Sequence, residues 1–336
     1  MIKTYINKFI ENLPDEIKDY AKNKTPMKID LVLDGGTFNG SYLVGALYFI
    51  KEMEARNYIK VERISGCSIG SIVGLLYLID ALDEFASLYE SLLLHFKREQ
   101  NFNFIKSLKT KLLHYIPNNI CEKVFKKFYV TFHNIKTGKK IVKNVYKNID
   151  EIFDSVKKSC YVPFLIDGNL LYQNKYIDGL NPFFFKYKKN RRILFMDLWG
   201  LDKIGCILNV KNEKTNFHRV LSGMLDIHNF FIKGSQTQMC SYVDNWGLYN
   251  YVFINIRYLI EKIIVYQVYF LDIINKNLSK NFKQGMMCRL MAKIGSEILV
   301  MLIHDDMYYT PLKNSTKLHR PNRDYYWVQH PLFPLF

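Results

Sequence analysis

A serine acts as a nucleophile only when one group takes its proton and others hold the oxyanion that its attack creates. Gly66-Cys67-Ser68-Ile69-Gly70 fits G-x-S-x-G. Where such a pentapeptide joins a strand to a helix, the chain turns sharply and the central side chain projects outward. Ser68 would then lie at a helix N-terminus, where free N–H groups favour developing negative charge. Cys67 beside it reads as a small residue in the turn. Gly35 stands 33 residues earlier, in Asp34-Gly35-Gly36-Thr37. Consecutive glycines leave backbone N–H groups accessible to an oxyanion or a phosphate. Asp178, just before Gly179, is a carboxylate placed to meet a serine from another strand end, although Asp-Gly alone is an ordinary turn signal.

These residues need elements to hold them. Ile29–Leu33 and Val61–Ser65 are short apolar strands, each followed by a helix: Ser41 to Met53 after the first, and Ile72 to Ile79 after the second. The separation of Gly35 from Ser68 is about one βαβ unit, which brings both loops to the carboxyl ends of neighbouring parallel strands. Tyr129–Asn134 and Lys139–Asn144 form a hairpin around Lys136-Thr137-Gly138. Asp150 caps a helix that runs through Ser159 and is broken at Val162-Pro163. Two short strands follow, the second, Tyr176-Ile177, leading to Asp178. Arg192–Leu198 is expected as the last strand of the sheet. Residues 2–13 form an amphipathic helix that packs on the main domain and ends near Pro14.

Beyond about residue 211 the pattern is helical, over roughly 216–235, 248–274 and 284–304. The stretch 250–274 is apolar around most of its circumference but carries Arg257, Glu261 and Lys262, which suits a core or interfacial helix better than a spanning one. The tail from Tyr308, with Pro311, Pro321, Pro331 and Pro334, is expected to run extended over the surface.

Composition bounds the function. With 47 Lys and Arg against 31 Asp and Glu, the net charge of +16 favours anionic partners, either phospholipid surfaces or nucleic acid. Residues 97–147 concentrate it: thirteen Lys or Arg face two acids, Glu99 and Glu122, with aromatic residues interleaved. Lys106, Lys109, Lys111 and the Lys123–Lys127 cluster suit docking on an anionic membrane, and a solvated rim is the plainer alternative. Six cysteines without paired spacing argue for reduced thiols in an intracellular setting, and against a disulfide framework or a zinc site. The longest uncharged run, Ile64 to Ile79, falls short of the ~20 residues that span a bilayer. Neither a signal peptide nor a transmembrane helix is expected.

In order, Asp34-Gly35-Gly36-Thr37-Phe38-Asn39-Gly40, Gly66-Cys67-Ser68-Ile69-Gly70, Ser159-Cys160-Tyr161-Val162-Pro163 and Asp178-Gly179-Leu180 resemble the motifs of the patatin-like phospholipases. The resemblance covers about residues 29–200. It implies an α/β fold, a three-layer α/β/α sandwich with a mostly parallel central sheet, extended here by a helical C-terminal region. It also implies a serine–aspartate dyad: Ser68 as nucleophile, Asp178 as base, and the N–H groups of Gly35, Gly36 and Thr37 as oxyanion hole. The reaction would be hydrolysis of acyl esters of phospholipids or other glycerolipids, with no metal or cofactor and no nucleic-acid partner. Three departures stand out. Thr37 replaces a glycine, Asn39 replaces an Arg or Lys, and Leu180 replaces a small residue.

The expected organisation is a lead-in over 1–28, a catalytic domain over 29–210 and a helical region over 211–336. Three rival readings remain. A degenerate domain of the same fold would bind lipid or protein without turnover. Asp34-Gly35-Gly36-Thr37 is similar to the phosphate-binding turn of actin-like sugar kinases. A Ser–His–Asp hydrolase would draw its histidine from His218, His228 or His304.

Overall fold

The computed structural model describes residues 2–277 except Lys24 and Asn212. The helix expected over 284–304, with His304, and the proline-bearing tail lie outside the described residues. Helices α1 (Ile2–Glu11) and α2 (Asp15–Lys22) lead into β1 (Met27–Leu33). A 3-10 turn over Thr37–Asn39 continues into α3 (Gly40–Ala55), followed by β2 (Ile59–Gly66) and α4 (Ile69–Leu78). Next come α5 (Phe85–Glu99), the short α6 (Leu108–Leu112) and α7 (Ile120–Val124), and the hairpin of β3 (Phe128–Asn134) and β4 (Lys139–Lys143). The chain goes on through α8 (Ile149–Ser159), β5 (Tyr176–Asp178), β6 (Arg192–Met196) and α9 (Leu201–Ile204). It then forms α10 (Phe217–Lys233), β7 (Cys240–Tyr242) and α11 (Leu248–Asn277).

The strands make one seven-stranded sheet in the order β4-β3-β2-β1-β6-β7, with β5 joined to β3. Its centre is parallel: β1 lies between β2 and β6, and β2 lies beside β3. Burial on both faces explains the apolar run Leu31–Leu33 of β1, and the buried Asp30 before it is paired with Arg63 and Arg191. Ile29, Leu31 and Leu33 point into the larger core with α3, α4, α8 and α10, whereas Val32 points to the other face. That second face is covered by Phe183–Phe185, Trp246 and, over β5, by Val265 and Val268 of α11. The result is the three-layer α/β/α arrangement.

One detail of pairing places the site. The first half of β3 pairs with β2, ending at Val130 with Gly66, while its second half pairs antiparallel with β5, Phe132 with Asp178. β2 and β5 therefore lie on the same edge of β3 and run head-on towards each other. Their carboxyl ends meet, with Asp178 the last residue of β5 and Ser68 two residues beyond β2.

Four expectations change. Arg192–Leu198 is not the last strand, because β7 pairs antiparallel outside β6. The first of the two short strands before Asp178 is absent, Tyr172 making only an isolated bridge to Tyr176. Asn148, not Asp150, caps α8: its extended backbone lets the side chain accept the Glu151 N–H, and Asp150 lies inside the first turn. Pro14 separates two helices, since its lack of an N–H costs nothing at the start of α2. The first helix packs as expected, with Ile6, Ile10 and Leu13 buried in the main core.

Candidate active site

Ser68 has φ 49° and ψ −129°, a backbone region that residues with a Cβ rarely enter. It is held there from both sides. Its N–H donates to Ser159 Oγ at 2.9 Å, and Gly66 and Gly70 let the chains close around it. A Cβ on Gly70 would come within 2.5 Å of the Asp34 carbonyl oxygen, and one on Gly66 within 2.5 Å of the Gly70 carbonyl oxygen. The strand–turn–helix reading of the pentapeptide thus has a steric cause.

Asp178 is buried at the head-on junction. Its Oδ1 accepts the Leu180 N–H at 2.8 Å, and its Oδ2 has no hydrogen-bond partner among the described residues. Burial pushes its pKa up to about 6, against the pull of the Leu180 N–H, the Ser68 side chain and Lys140. Ser68 therefore faces the carboxylate without closing a hydrogen bond of ordinary length. Such contacts in serine enzymes commonly tighten only around the substrate. A carboxylate with an unused oxygen and a pKa near 6 is suited to act as a proton acceptor at neutral pH.

The neighbouring thiol is not suited to compete. Cys67 is buried, and burial with Asp34 and Asp178 nearby pushes its pKa far up, so it stays a thiol. The five described cysteines are all free. Neither described candidate histidine hydrogen-bonds to Ser68 or Asp178. His228 stacks on Phe9, ring centres 4.6 Å apart, and His218 lies exposed, 3.6 Å from Glu213.

The glycine loop presents its donors unequally. The Gly35 N–H is turned onto its neighbour's carboxylate, 2.9 Å from Asp34 Oδ1. What Gly35 gives the site is clearance, since a Cβ there would stand 3.1 Å from Ser68 Cβ. Among the described residues the N–H groups of Gly36 and Thr37 carry no hydrogen bond, and neither does that of Ile69, the residue after the serine. The open Ile69 N–H was not singled out in the sequence, although its place after the serine of G-x-S-x-G was the signal for it.

Thr37 has φ 44°, so the residue that departs from the glycine pattern sits where glycine is favoured. Left-handed backbone costs an L-residue about 1–2 kcal/mol. Thr37→Gly should therefore raise stability by about 1 kcal/mol once the added freedom of the unfolded glycine is subtracted. Urea denaturation would show it, and an unchanged or lower midpoint would mean that the threonine side chain repays the strain. Asn39, the second departure, is buried and faces away from solvent. Its Oδ1 accepts from Arg219 Nη1 at 2.5 Å, so a guanidinium from α10 stands behind the loop.

From Ser68 a narrow apolar cavity of about 50 Å³, partly open to solvent, runs between Ile69, Ile72, Phe85, Leu88, Phe102, Phe104 and Leu108, with Thr37 beside the serine. Part of the basic segment, Phe102 to Leu108, thus forms a wall of the site. Three of its lysines are paired with acids: Lys106 with Asp167 at 2.9 Å, Lys109 with Asp150 at 2.5 Å, and Lys123 with Asp80 at 2.9 Å. Lys111 lies over the Phe104 ring at 4.3 Å and Lys126 over Phe125 at 5.1 Å, while Leu113, Tyr115 and Phe125 are exposed. Among the described residues, no cluster of side chains could hold a metal ion, and no helix is long and apolar enough to cross a membrane.

Sequence reading also passed over a buried polar cluster behind the loops. Arg257 and Glu261, one turn apart on α11, reach Asp34, Asp197, Asn181, His133 and Lys140. Two opposite charges four residues apart on an otherwise apolar helix were the available signal.

No curated protein matches the chain. Residues 31–183 match the family model described as patatin-like phospholipase, a segment that begins in β1 and ends just past Asp178. Residues 31–183 thus carry the match to a patatin-like phospholipase domain, whose family acts on lipid esters.

Proposed function

We propose that the protein hydrolyses acyl esters of phospholipids or other glycerolipids through an acyl-serine intermediate. Ser68 Oγ attacks the ester carbonyl carbon while Asp178 Oδ2 takes its proton. The oxyanion is held by the N–H groups of Gly36 and Thr37, with Ile69 as a third donor, and Gly35 keeps the approach to the serine clear. Collapse of the intermediate expels the alcohol, which leaves with the proton from Asp178. Water then attacks the acyl-serine, again giving its proton to Asp178, and the fatty acid departs. The observation that carries this reading is the apolar cavity starting at Ser68, whose dry walls suit an acyl chain and not a sugar or a nucleotide.

The membrane contact is narrower than the lysine-rich sequence suggested. Ion pairs already compensate Lys106, Lys109 and Lys123, which leaves Lys111, Lys126 and Lys127 with the exposed Leu113, Tyr115 and Phe125 as the docking patch. Each juxtaposed lysine contributes about 1 kcal/mol near an anionic surface. The degenerate-module reading draws support from the strained Thr37 in the donor loop.

A fluorophosphonate probe separates the two. The full chain should gain one adduct, on Ser68, and should release fatty acid faster from vesicles containing phosphatidylglycerol than from phosphatidylcholine alone. An unlabelled but folded protein would favour the binding module. Labelling without any vesicle preference would reduce the lysine segment to a solvated rim.

A further inference from the structure

Arg257 enters the site from α11, 74 residues beyond the end of the matched segment. Its partners are unusual for a structural ion pair, because they belong to two different catalytic loops. Nη2 lies 2.7 Å from Asp34 Oδ1, and Nη1 lies 2.9 Å from Asp34 Oδ2. The same guanidinium donates through Nε to Asn181 Oδ1 at 2.9 Å and reaches Asp197 at 3.2 Å. Asn181 lies three residues after Asp178. Its Nδ2 donates in turn to Glu261 Oε2 at 2.7 Å.

Asp34 explains why this fork matters. Its carboxylate is fully buried and accepts two backbone N–H groups, Gly35 on Oδ1 and Leu198 on Oδ2. Those bonds fix the peptide that leads into Gly36 and Thr37, whose N–H groups are open. A buried carboxylate keeps its charge only beside a countercharge. Burial alone would lower the Arg257 pKa, but Asp34 and Asp197 raise it, so the guanidinium stays charged. Burial and Asp34 push Asp197 up to about 7, against the pull of Arg257.

The groups facing the fork from other elements are Trp199, 5.2 Å from the guanidinium carbon to the ring centre, Phe195, and, through Glu261, His133 and Lys140. Glu261 Oε1 stands 3.2 Å from His133 Nε2, out of line for a well-formed hydrogen bond, and Oε2 accepts from Lys140 at 2.9 Å. Helix α11 therefore grips β3, β4 and the turn after Asp178 with Glu261, and the donor loop with Arg257.

The geometry points to Arg257 as a positioning residue that sets the oxyanion donors of the Gly36–Thr37 loop against the general base Asp178. It touches no reacting atom. The assignment rests on the hydrolase reading above. A lateral shift of about 1 Å in such groups costs on the order of 100-fold in rate. Lysine would keep the charge but lose the planar fork that reaches both loops.

Three full-length variants test it, with a short-chain soluble ester and the fluorophosphonate probe. Arg257→Ala should slow turnover and phosphonylation of Ser68 about 100-fold with KM little changed, and millimolar guanidinium chloride should restore part of the rate. Arg257→Lys should show an intermediate loss without rescue. Asn181→Ala leaves the Asp34–Arg257 pair in place and should lower kcat as well. Amide hydrogen exchange supplies a readout independent of turnover: Gly35–Thr37 and Asp178–Leu180 should lose protection together in Arg257→Ala and regain it with guanidinium. If Arg257→Ala cannot be folded, Arg257→Lys and Asn181→Ala carry the test. Wild-type rates in those two would overturn the proposal, as would exchange confined to one loop or rate losses that guanidinium leaves untouched. A wild type that takes no probe would sink the hydrolase reading instead, and the exchange of the two loops would still decide whether Arg257 couples them.

Discussion

Ser68→Ala is expected to bring ester hydrolysis down to background and to remove fluorophosphonate labelling, with the fold retained. Ser68→Gly should be equally inactive and more stable. The serine sits at φ 49° with ψ −129°, and backbone strain of this kind costs about 1–3 kcal/mol for a residue with a Cβ. Alanine keeps that Cβ and glycine does not, so the difference between the two variants in urea melts reads the strain less the added freedom of the unfolded glycine. The turn is held by the Ser159 hydroxyl on the Ser68 N–H and by the tight closure at Gly66 and Gly70, so removing the hydroxyl of Ser68 leaves its supports untouched. Labelling that survived Ser68→Ala and vanished in Cys67→Ala would transfer the nucleophile to a thiol whose burial argues against it. Equal stability of the alanine and glycine variants would mean that the strain is no larger than that entropy, about 0.4–1 kcal/mol.

Asp178→Asn should lower kcat by about 10²–10⁴-fold, the usual worth of a positioned base. Its sign for stability is opposite. The folded pKa of about 6 lies above the ordinary 3.8, so the folded state binds the proton more tightly than the unfolded chain. Stability contributed by this group is complete below the unfolded pKa and is lost as pH rises through the folded one. Above pH 6 the penalty for the rise from 3.8 to about 6 is about 3 kcal/mol. The asparagine variant should therefore outlast the wild type at pH 7.5 and lose that advantage near pH 4. Wild-type kcat/KM should rise with pH through about 6 as the base ionises. Alanine at His218 or His228 should change little. A histidine variant as damaged as Asp178→Asn would point to a triad, and a rate independent of pH between 5 and 7 would remove Asp178 from the proton transfer.

What could be read in the sequence was local. The glycines at 66 and 70 announce close turns because a Cβ there would run into backbone, the one at 35 leaves a tight clearance beside Ser68, and the apolar runs around them announce strands buried on both faces. Thr37 was legible as the residue that stands where the motif has glycine, and its positive φ is the reason glycine is favoured there. What could not be read depends on partners distant along the chain. Nothing near Asp178 tells that β5 abuts β2 on the shared edge of β3. Nothing near Asp34 tells that its carboxylate takes the Gly35 N–H and a guanidinium from α11. Lysines 106, 109 and 123 read as free charge because their acids are 41 to 61 residues away.

The distance between Asp34 and Arg257 along the chain, 223 residues, also has a meaning in time. A ribosome adding about 5–20 residues per second needs roughly 11–45 s to travel from one to the other. During that interval Ser68, both glycine turns and Asp178 already exist, and the buried carboxylate at the start of the donor loop still lacks its countercharge. Contacts so remote also close late in refolding. A nascent or partly unfolded chain thus carries Ser68 and Asp178 without α11. If Arg257 aligns the two loops as proposed, assembly of α11 is the step that completes the site, once the chain extends through residue 261.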